Sequence, residues 1–380
     1  MKKTMIAMLV GSMLTAYQAN AQEAAAAVPA PAPKPSWADT VTFKGDIRVR
    51  GEYIDKEGSD TRERARIRAR LGANAKVSDE IDATIALASG NDDPVSTNQT
   101  LGDGFSTKDI GLDLAYIDLH PDAVSDLNIL LGKMKQPFIA VNDLQWDGDL
   151  NPEGAALNYE IPTGDTISLL LNGGAFWVQE RSTDDETMLY GAQAALQMKD
   201  EDLTLTTGAS YFYYDNIEGF DPIYDPLDSF GNSVTETVDP VTGEVTEMVY
   251  ATGFEILELF AEAGFDLGAP VVFSASYVVN QDADEDDTGY MVGFKVGKLK
   301  KTGSFEFGYS YRELESDAVL GAFADSDSFG GGTDGKTHKL NLGYQIAKNL
   351  SSSLTYFMGE TGLDDGVDYD RVQLDLSTKF

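Results

Sequence analysis

Cysteine is absent from this 380-residue chain. No disulfide, thiolate metal site or cysteine nucleophile can therefore form. Histidine is almost absent too, with only His120 and His338. Basic charge is scarce: 28 Lys and Arg face 63 Asp and Glu, for a formal net charge of −35. That deficit argues against nucleic-acid binding, which requires a basic footprint. Long apolar runs are also missing. Beyond the first 21 residues, nothing approaches the roughly 18 consecutive apolar residues that a membrane-spanning helix requires. If such a chain spans a membrane, it must do so as a closed barrel, because lipid tolerates no unpaired backbone.

What is present begins at the end of the chain. From Tyr369 to Phe380, the residues Val372, Leu374, Leu376, Thr378 and Phe380 alternate with Arg371, Gln373, Asp375, Ser377 and Lys379. Strict period-2 alternation makes a strand with one apolar and one polar face. A terminal aromatic on that strand is the pattern of a closing strand in an outer-membrane β-barrel. The start of the chain agrees. Lys2 and Lys3 precede a short apolar stretch, Met5 to Ala16, and Ala19-Asn20-Ala21 fits a small-x-small cleavage site. Residues 1–21 read as a secretory signal peptide, too short to span. Its removal would take two lysines, leaving 26 basic and 63 acidic residues, a charge of −37. Residues 22–40, with Pro29, Pro31, Pro33 and Pro35 set among alanines, read as an extended periplasmic spacer.

The remainder, 41–380, reads as sixteen alternating strands. They are expected at 43–53, 64–77, 81–89, 110–120, 127–135, 155–161, 166–178, 188–198, 203–214, 254–266, 271–280, 290–298, 304–314, 337–346, 350–358 and 369–380. Every second connection is short, such as Ser78-Asp79-Glu80 or Ala347–Asn349. The others are mostly longer and rich in Asp, Gly and Thr, notably 90–109, 215–253 and 315–336. Short periplasmic turns, long extracellular loops and an even strand count are the marks of bacterial barrels. The expected fold class is therefore all-β, a transmembrane antiparallel barrel. A soluble sandwich would bury its second sheet face rather than line it with arginine.

Charge placement identifies the lumen side. On the first strand, Lys44, Asp46, Arg48, Arg50 and Glu52 oppose Phe43, Ile47 and Val49. On the second, Arg64, Arg66, Arg68 and Arg70 oppose Ile67 and Leu71. Seven of the ten arginines lie between residues 48 and 70. Arginine facing lipid costs about 2–4 kcal/mol at mid-bilayer, so this ladder must face the lumen. Closure of the barrel brings the last strand beside the first and adds Arg371 and Lys379 to the same wall. With sixteen strands, the tenth lies across from the second and turns Glu258 and Glu262 inward. A transverse field between an arginine wall and carboxylates orients dipolar solutes and sets ion preference. The opposing expectation is that the arginines only pair with neighbouring acids. For the loop that constricts the pore, 90–109 is preferred, through Asp92, Asp93 and Asp103. The runner-up is 136–153, with Asp143, Asp147, Asp149 and Glu153.

Three patterns lead nowhere. Gly330-Gly331-Gly332-Thr333-Asp334-Gly335-Lys336-Thr337 matches the nucleotide P-loop. A period-2 strand follows it, though, where phosphate binding requires a helix. The acidic run Asp282–Asp287 lacks the glycine and terminal glutamate of a calcium loop. A hydrolytic barrel requires a base beside a nucleophile. Neither His120, before Pro121, nor His338, in the phase of Leu340 and Leu342, is placed for that, so no enzyme and no cofactor are expected.

Several segments resemble the Putative porin family of Gram-negative outer membranes: Phe43–Arg50, Leu131–Phe138, Trp146–Gly154, and the tail from Phe254 with Tyr309–Ala318. The stretch Trp146-Asp147-Gly148-Asp149-Leu150-Asn151-Pro152-Glu153-Gly154 is the most specific. The resemblance implies a passive, trimeric outer-membrane channel for small hydrophilic solutes, set in lipid and lipopolysaccharide. It also implies assembly by periplasmic chaperones and the barrel-assembly machinery, with Phe380 as the assembly signal. The alternatives are a channel selective for anions, phosphate or sugars, and a surface adhesin displaying the 215–253 loop.

Overall fold

The computed structural model describes residues 40–364 and 366–380. The signal peptide expected at 1–21, and all of the Ala/Pro spacer except Thr40, lie outside the described residues. The described chain is a closed barrel of sixteen long antiparallel strands. These are β1 (Val41–Lys56), β2 (Arg62–Lys76), β3 (Ile81–Ser89), β4 (Ile110–Leu119), β5 (Leu127–Lys133), β6 (Glu153–Pro162), β7 (Ile167–Gln179) and β8 (Thr187–Lys199). They continue with β9 (Leu203–Asp215), β10 (Phe254–Asp266), β11 (Pro270–Asn280), β12 (Thr288–Gly297), β13 (Phe305–Leu314), β14 (Gly335–Ala347), β15 (Leu350–Thr361) and β16 (Val367–Lys379). Each pairs with its chain neighbour, and β1 pairs antiparallel with β16 to close the ring. The expected strands are all present, and their ends move by no more than a few residues.

The last residue extends the closing seam by one more hydrogen-bonded pair. The Phe380 N–H donates to the Gly45 carbonyl (3.0 Å), and the Gly45 N–H donates to the Phe380 carbonyl (2.9 Å). A Cβ on residue 45 would stand 2.6 Å from the Phe380 ring and 2.7 Å from the Arg70 carbonyl. Only glycine leaves room for the terminal aromatic there.

The two faces of the wall differ as the alternation demands. Phe43, Ile47, Val49, Tyr53, Leu374 and Leu376 are exposed on the outside, whereas Arg50, Glu52, Arg371, Gln373 and Asp375 are buried inside. Long loops cluster at one end and short turns at the other. Three further short strands belong to the loops. Gln99–Thr100 pairs with β2 at Arg66 and Ile67, and Val234–Val238 pairs with Val245–Tyr250 in an exposed hairpin. The glycine-rich stretch at 330–335 runs directly into β14, with no helix after it.

An apolar core fills part of the lumen. Inward side chains at the long-loop ends of β7 to β13 (Phe176, Leu189, Phe212, Phe254, Val278 and Leu314) are buried beneath three loops. The loops contribute Met134, Phe138, Leu144 and Trp146; Ile217, Ile223 and Tyr250; and Ala318 to Ala322 with Phe329.

Candidate functional site: the lumen wall and its in-folded loops

Antiparallel register stacks the ladder into rows. Across β2, β1 and β16 the aligned residues are Arg70–Asp46–Lys379, Arg68–Arg48–Ser377, Arg66–Arg50–Asp375 and Arg64–Glu52–Gln373. Most of these charges are paired. Arg50 grips Asp375 through Nε and Nη2 (2.7 and 2.9 Å) and reaches Asp327 at 3.2 Å. Arg371 holds Glu52 at 2.9 Å and Asp327 at 2.7 Å. Arg64 also binds Glu52. Arg68 and Arg70 share Asp46, at 2.9 and 2.7 Å, and both approach Asp149, at 3.8 and 3.3 Å. Six of the seven inward guanidinium groups meet five carboxylates (Asp46, Glu52, Asp149, Asp327 and Asp375), so seven positive charges stand against five negative ones, an excess of two. Lys44 and Lys379 lie at the short-turn end, both exposed.

The loop that crosses the lumen is residues 134–152, the runner-up of the two candidates. It leaves β5 and is held to β8 by Gln193, which accepts from the Ile139 N–H (2.8 Å) and donates to its carbonyl (3.0 Å). Asp143 then meets Lys339 of β14 at 2.9 Å, and Arg312 of β13 donates to the Asp143 carbonyl at 3.2 Å. Asp149 finally lands on Arg68 and Arg70 and accepts from the Thr97 hydroxyl at 2.8 Å. Trp146 is the apolar anchor between these ends, edge-on to Phe212 at 5.3 Å. The stretch 146–154 thus supplies two of this loop's fastenings, Trp146 and Asp149.

The preferred loop, 90–109, also enters the lumen. Its segment 96–100 lies along β2: Asn98 Oδ1 accepts from Arg48 (2.7 Å), and Ser96 Oγ and the Asn98 carbonyl accept from Arg66 (3.3 Å each). Asp93 is half-buried and accepts from the Val95 N–H, Asp92 is exposed, and Asp103 is exposed in a turn with Ser106. None of the three makes an ion pair among the described residues. The reason is reach: Asp149 already occupies Arg68 and Arg70, and Asp103 sits in the outward-turned tip beside the fully exposed Phe105.

A further loop, 315–334, enters unforeseen. Its Asp325 meets Arg312 at 3.4 Å, while Asp327 bridges Arg50 and Arg371. Arg312 is 1% exposed and lies 5.2 Å from the Phe329 ring, so it clamps both loops. Its inward phase on β13, opposite the outward Tyr309 and Tyr311, was the available signal.

The loop carboxylates share burial but differ in company. Burial works to raise all of them. Lys339 and Arg312 overcome it at Asp143, Arg68 and Arg70 at Asp149, and Arg371 and Arg50 at Asp327, so each stays below the ordinary carboxylate range. Asp147 faces Asp325 instead and is pushed up to about 8, although it accepts the N–H groups of Asp149 (2.7 Å) and Ser326 (3.1 Å).

The tenth strand does turn Glu258 and Glu262 inward. Glu258 is buried and accepts from Ser210 Oγ at 2.7 Å. Glu262 lines a cavity beside Asp143 and Lys339. Neither forms an ion pair among the described residues. The acids that meet the ladder come from its own strands and from the two loops.

A profile of the family described as Putative porin matches residues 53–238 and 233–380. A comparison with curated proteins finds no match. Several solved structures share the fold. Salmonella typhi OmpF, solved with daunomycin, superposes with a TM-score of 0.53 at 12% identity, over 90% of this chain and 97% of that one. The outer membrane channel DcaP of Acinetobacter baumannii gives 0.51 at 12%, over 90% and 97%. The in-vitro folded OmpT of Vibrio cholerae in its trimer form gives 0.51 at 13%, over 90% and 99%.

Proposed function

The chain belongs to the Putative porin family, and from that premise we propose that its lumen passes small hydrophilic solutes down their gradients, through a gap bounded on one side by the arginine wall. The observation that carries this reading is the placement of charge. Seven arginines line one wall of a closed barrel, and the 134–152 loop brings Asp143, Asp147 and Asp149 into the same lumen. A field set across a narrowed lumen favours hydrated, dipolar solutes over apolar ones. Lys44 and Lys379 extend the positive side toward the periplasm.

The same reading includes export by the 1–21 signal, a periplasmic 22–40 spacer, and insertion into lipid and lipopolysaccharide. Insertion uses the barrel-assembly machinery, addressed by the strand ending at Phe380. It also includes a homotrimer, supported by the trimer form of the Vibrio cholerae neighbour. No catalysis is proposed: His120 stands 3.9 Å from Asp82 at the short-turn end, and His338 bonds to Tyr309 on the outer face.

The test is reconstitution of the purified barrel into planar bilayers. Discrete conductance steps, with sugar and amino-acid flux in vesicle-swelling assays, are expected. Correctly folded barrels that carry no current would overturn the channel and promote the adhesin reading of the 215–253 loop.

A further inference from the structure

Two of the seven ladder arginines stand apart from the rest. Arg48 forms no ion pair among the described residues. Arg66 reaches a carboxylate only at 3.8 Å, on a Glu52 already held by Arg64 and Arg371. The register makes Arg48 and Arg66 diagonal neighbours, since Arg48 faces Arg68 and Arg66 faces Arg50. Diagonal neighbours on one face lie roughly 7–8 Å apart, within reach of long side chains. Both turn toward the same loop residue, Arg48 to the Asn98 side chain and Arg66 to the Asn98 carbonyl and Ser96. These acceptors are neutral. The Nε atoms of both arginines are buried with no protein acceptor.

That arrangement is costly unless something else completes it, because a buried charged donor without a partner forfeits its hydration. Most of the surrounding acids are committed elsewhere, Asp46 and Asp149 to Arg68 and Arg70 and Asp375 to Arg50; Asp93 feels Arg66 electrostatically but forms no ion pair with it among the described residues. The neutral clamp is itself built in. Gln99–Thr100 pairs with β2, the Leu101 N–H donates to the Ala65 carbonyl (2.8 Å), and Thr97 bonds to Asp149. Neither arginine is sealed off: Arg48 is half-buried and the Arg66 side chain keeps 12% of its surface exposed, which leaves the pair open to a solute in the lumen.

We propose that Arg48 and Arg66, seated on Asn98 and Ser96, form a subsite for an organic oxyanion, the carboxylate or phosphoryl group of a permeating solute. This rests on the channel reading above and names the class of solute that the wall retains. Two adjacent guanidinium forks suit such a group because each can offer parallel N–H donors to its oxygens. The two uncompensated charges of the wall are thereby placed at one point rather than spread along it.

The test uses the full-length protein in planar bilayers with chloride as the carrier ion and succinate or inorganic phosphate as the added probe. In the wild type, added probe should lower chloride conductance at concentrations where the same amount of neutral sugar does not. Arg48→Gln and Arg66→Gln should each raise the half-blocking concentration about tenfold, the size expected for losing a charge-assisted pair. Lys295→Gln removes an inward charge from β12 and should leave the block unchanged. Arg48→Lys keeps the charge but loses the fork, and it serves where the glutamine variant does not assemble; it too should weaken the block. Block by succinate alone identifies a carboxylate site and block by phosphate alone a phosphoryl site. An open wild-type channel with no block by either probe, or block weakened as much by Lys295→Gln, overturns the subsite and leaves the channel standing. A folded wild type without channels overturns the channel reading first.

Discussion

The lumen has two unlike walls. Along β2, β1 and β16 the inward side chains are arginines and acids, stacked in register and largely paired. Along β7 to β13 the inward side chains near the long-loop end are aromatic and aliphatic, and three loops cover them. The first wall balances its buried charges against one another and against loop carboxylates. The second is removed from water by burying the loops against it, the ordinary hydrophobic economy of a soluble core placed inside a membrane barrel. Asp143 and Asp149 of a single loop join the two, one end fastened by Lys339 and the other by Arg68 and Arg70. A polar passage thus acquires a defined width because an apolar surface beside it fixes where the loop lies.

The contrast can be broken most severely at Arg312. Changing it to Leu leaves Asp325 buried without its partner, a loss of about 3–5 kcal/mol. Both loops should then release, with a lower melting temperature and a larger, noisier conductance. Trp146→Ala removes the anchor from the apolar wall, and about 3 kcal/mol of loop docking is expected to go with it. Chloride preference should survive there, since no wall charge has moved. Asp149→Asn instead leaves the packing intact and uncovers Arg68 and Arg70, so the reversal potential in a salt gradient should move toward anions by a few millivolts.

The smallest effect concerns pH at Asp147. Its carboxyl holds a proton up to about 8 when docked, against an ordinary value of 3.8. The docked loop is therefore the form that binds the proton more strongly. Docking is strongest below the ordinary value, weakens as pH rises between the two, and levels off above about 8. Current noise should follow that course, and Asp147→Asn should flatten it.

These two walls were not equally legible in the sequence. Period-2 alternation, with arginine barred from lipid, locates every strand and sets Arg48 to Arg70 inward. Phe380 foretold the closing strand, though not the absent side chain of Gly45 that accommodates it. The apolar wall was hidden because loops have no period: which loop enters depends on a distant lysine on β14 and an arginine on β13. A signal did exist. Phe176, Leu189, Phe212 and Phe254 are apolar at inward positions, which a water-filled lumen would leave wet, and Leu144, Trp146 and Leu150 required a surface to cover them. The expected partners across the lumen, Glu258 and Glu262, face inward. Local acids in register with the ladder, above all Asp46, Glu52 and Asp375, reach the arginines first.

The most direct measurement is the single-channel reversal potential in a salt gradient, comparing the wild type with the double variant Arg66→Ala, Arg68→Ala. Removing two guanidinium groups cancels the wall's excess of two positive charges, with Asp46 and Asp149 left partly uncovered. Channels that stay open while their preference shifts toward cations are the predicted result. Open channels with unchanged preference would contradict it and reduce the ladder to a solvated wall.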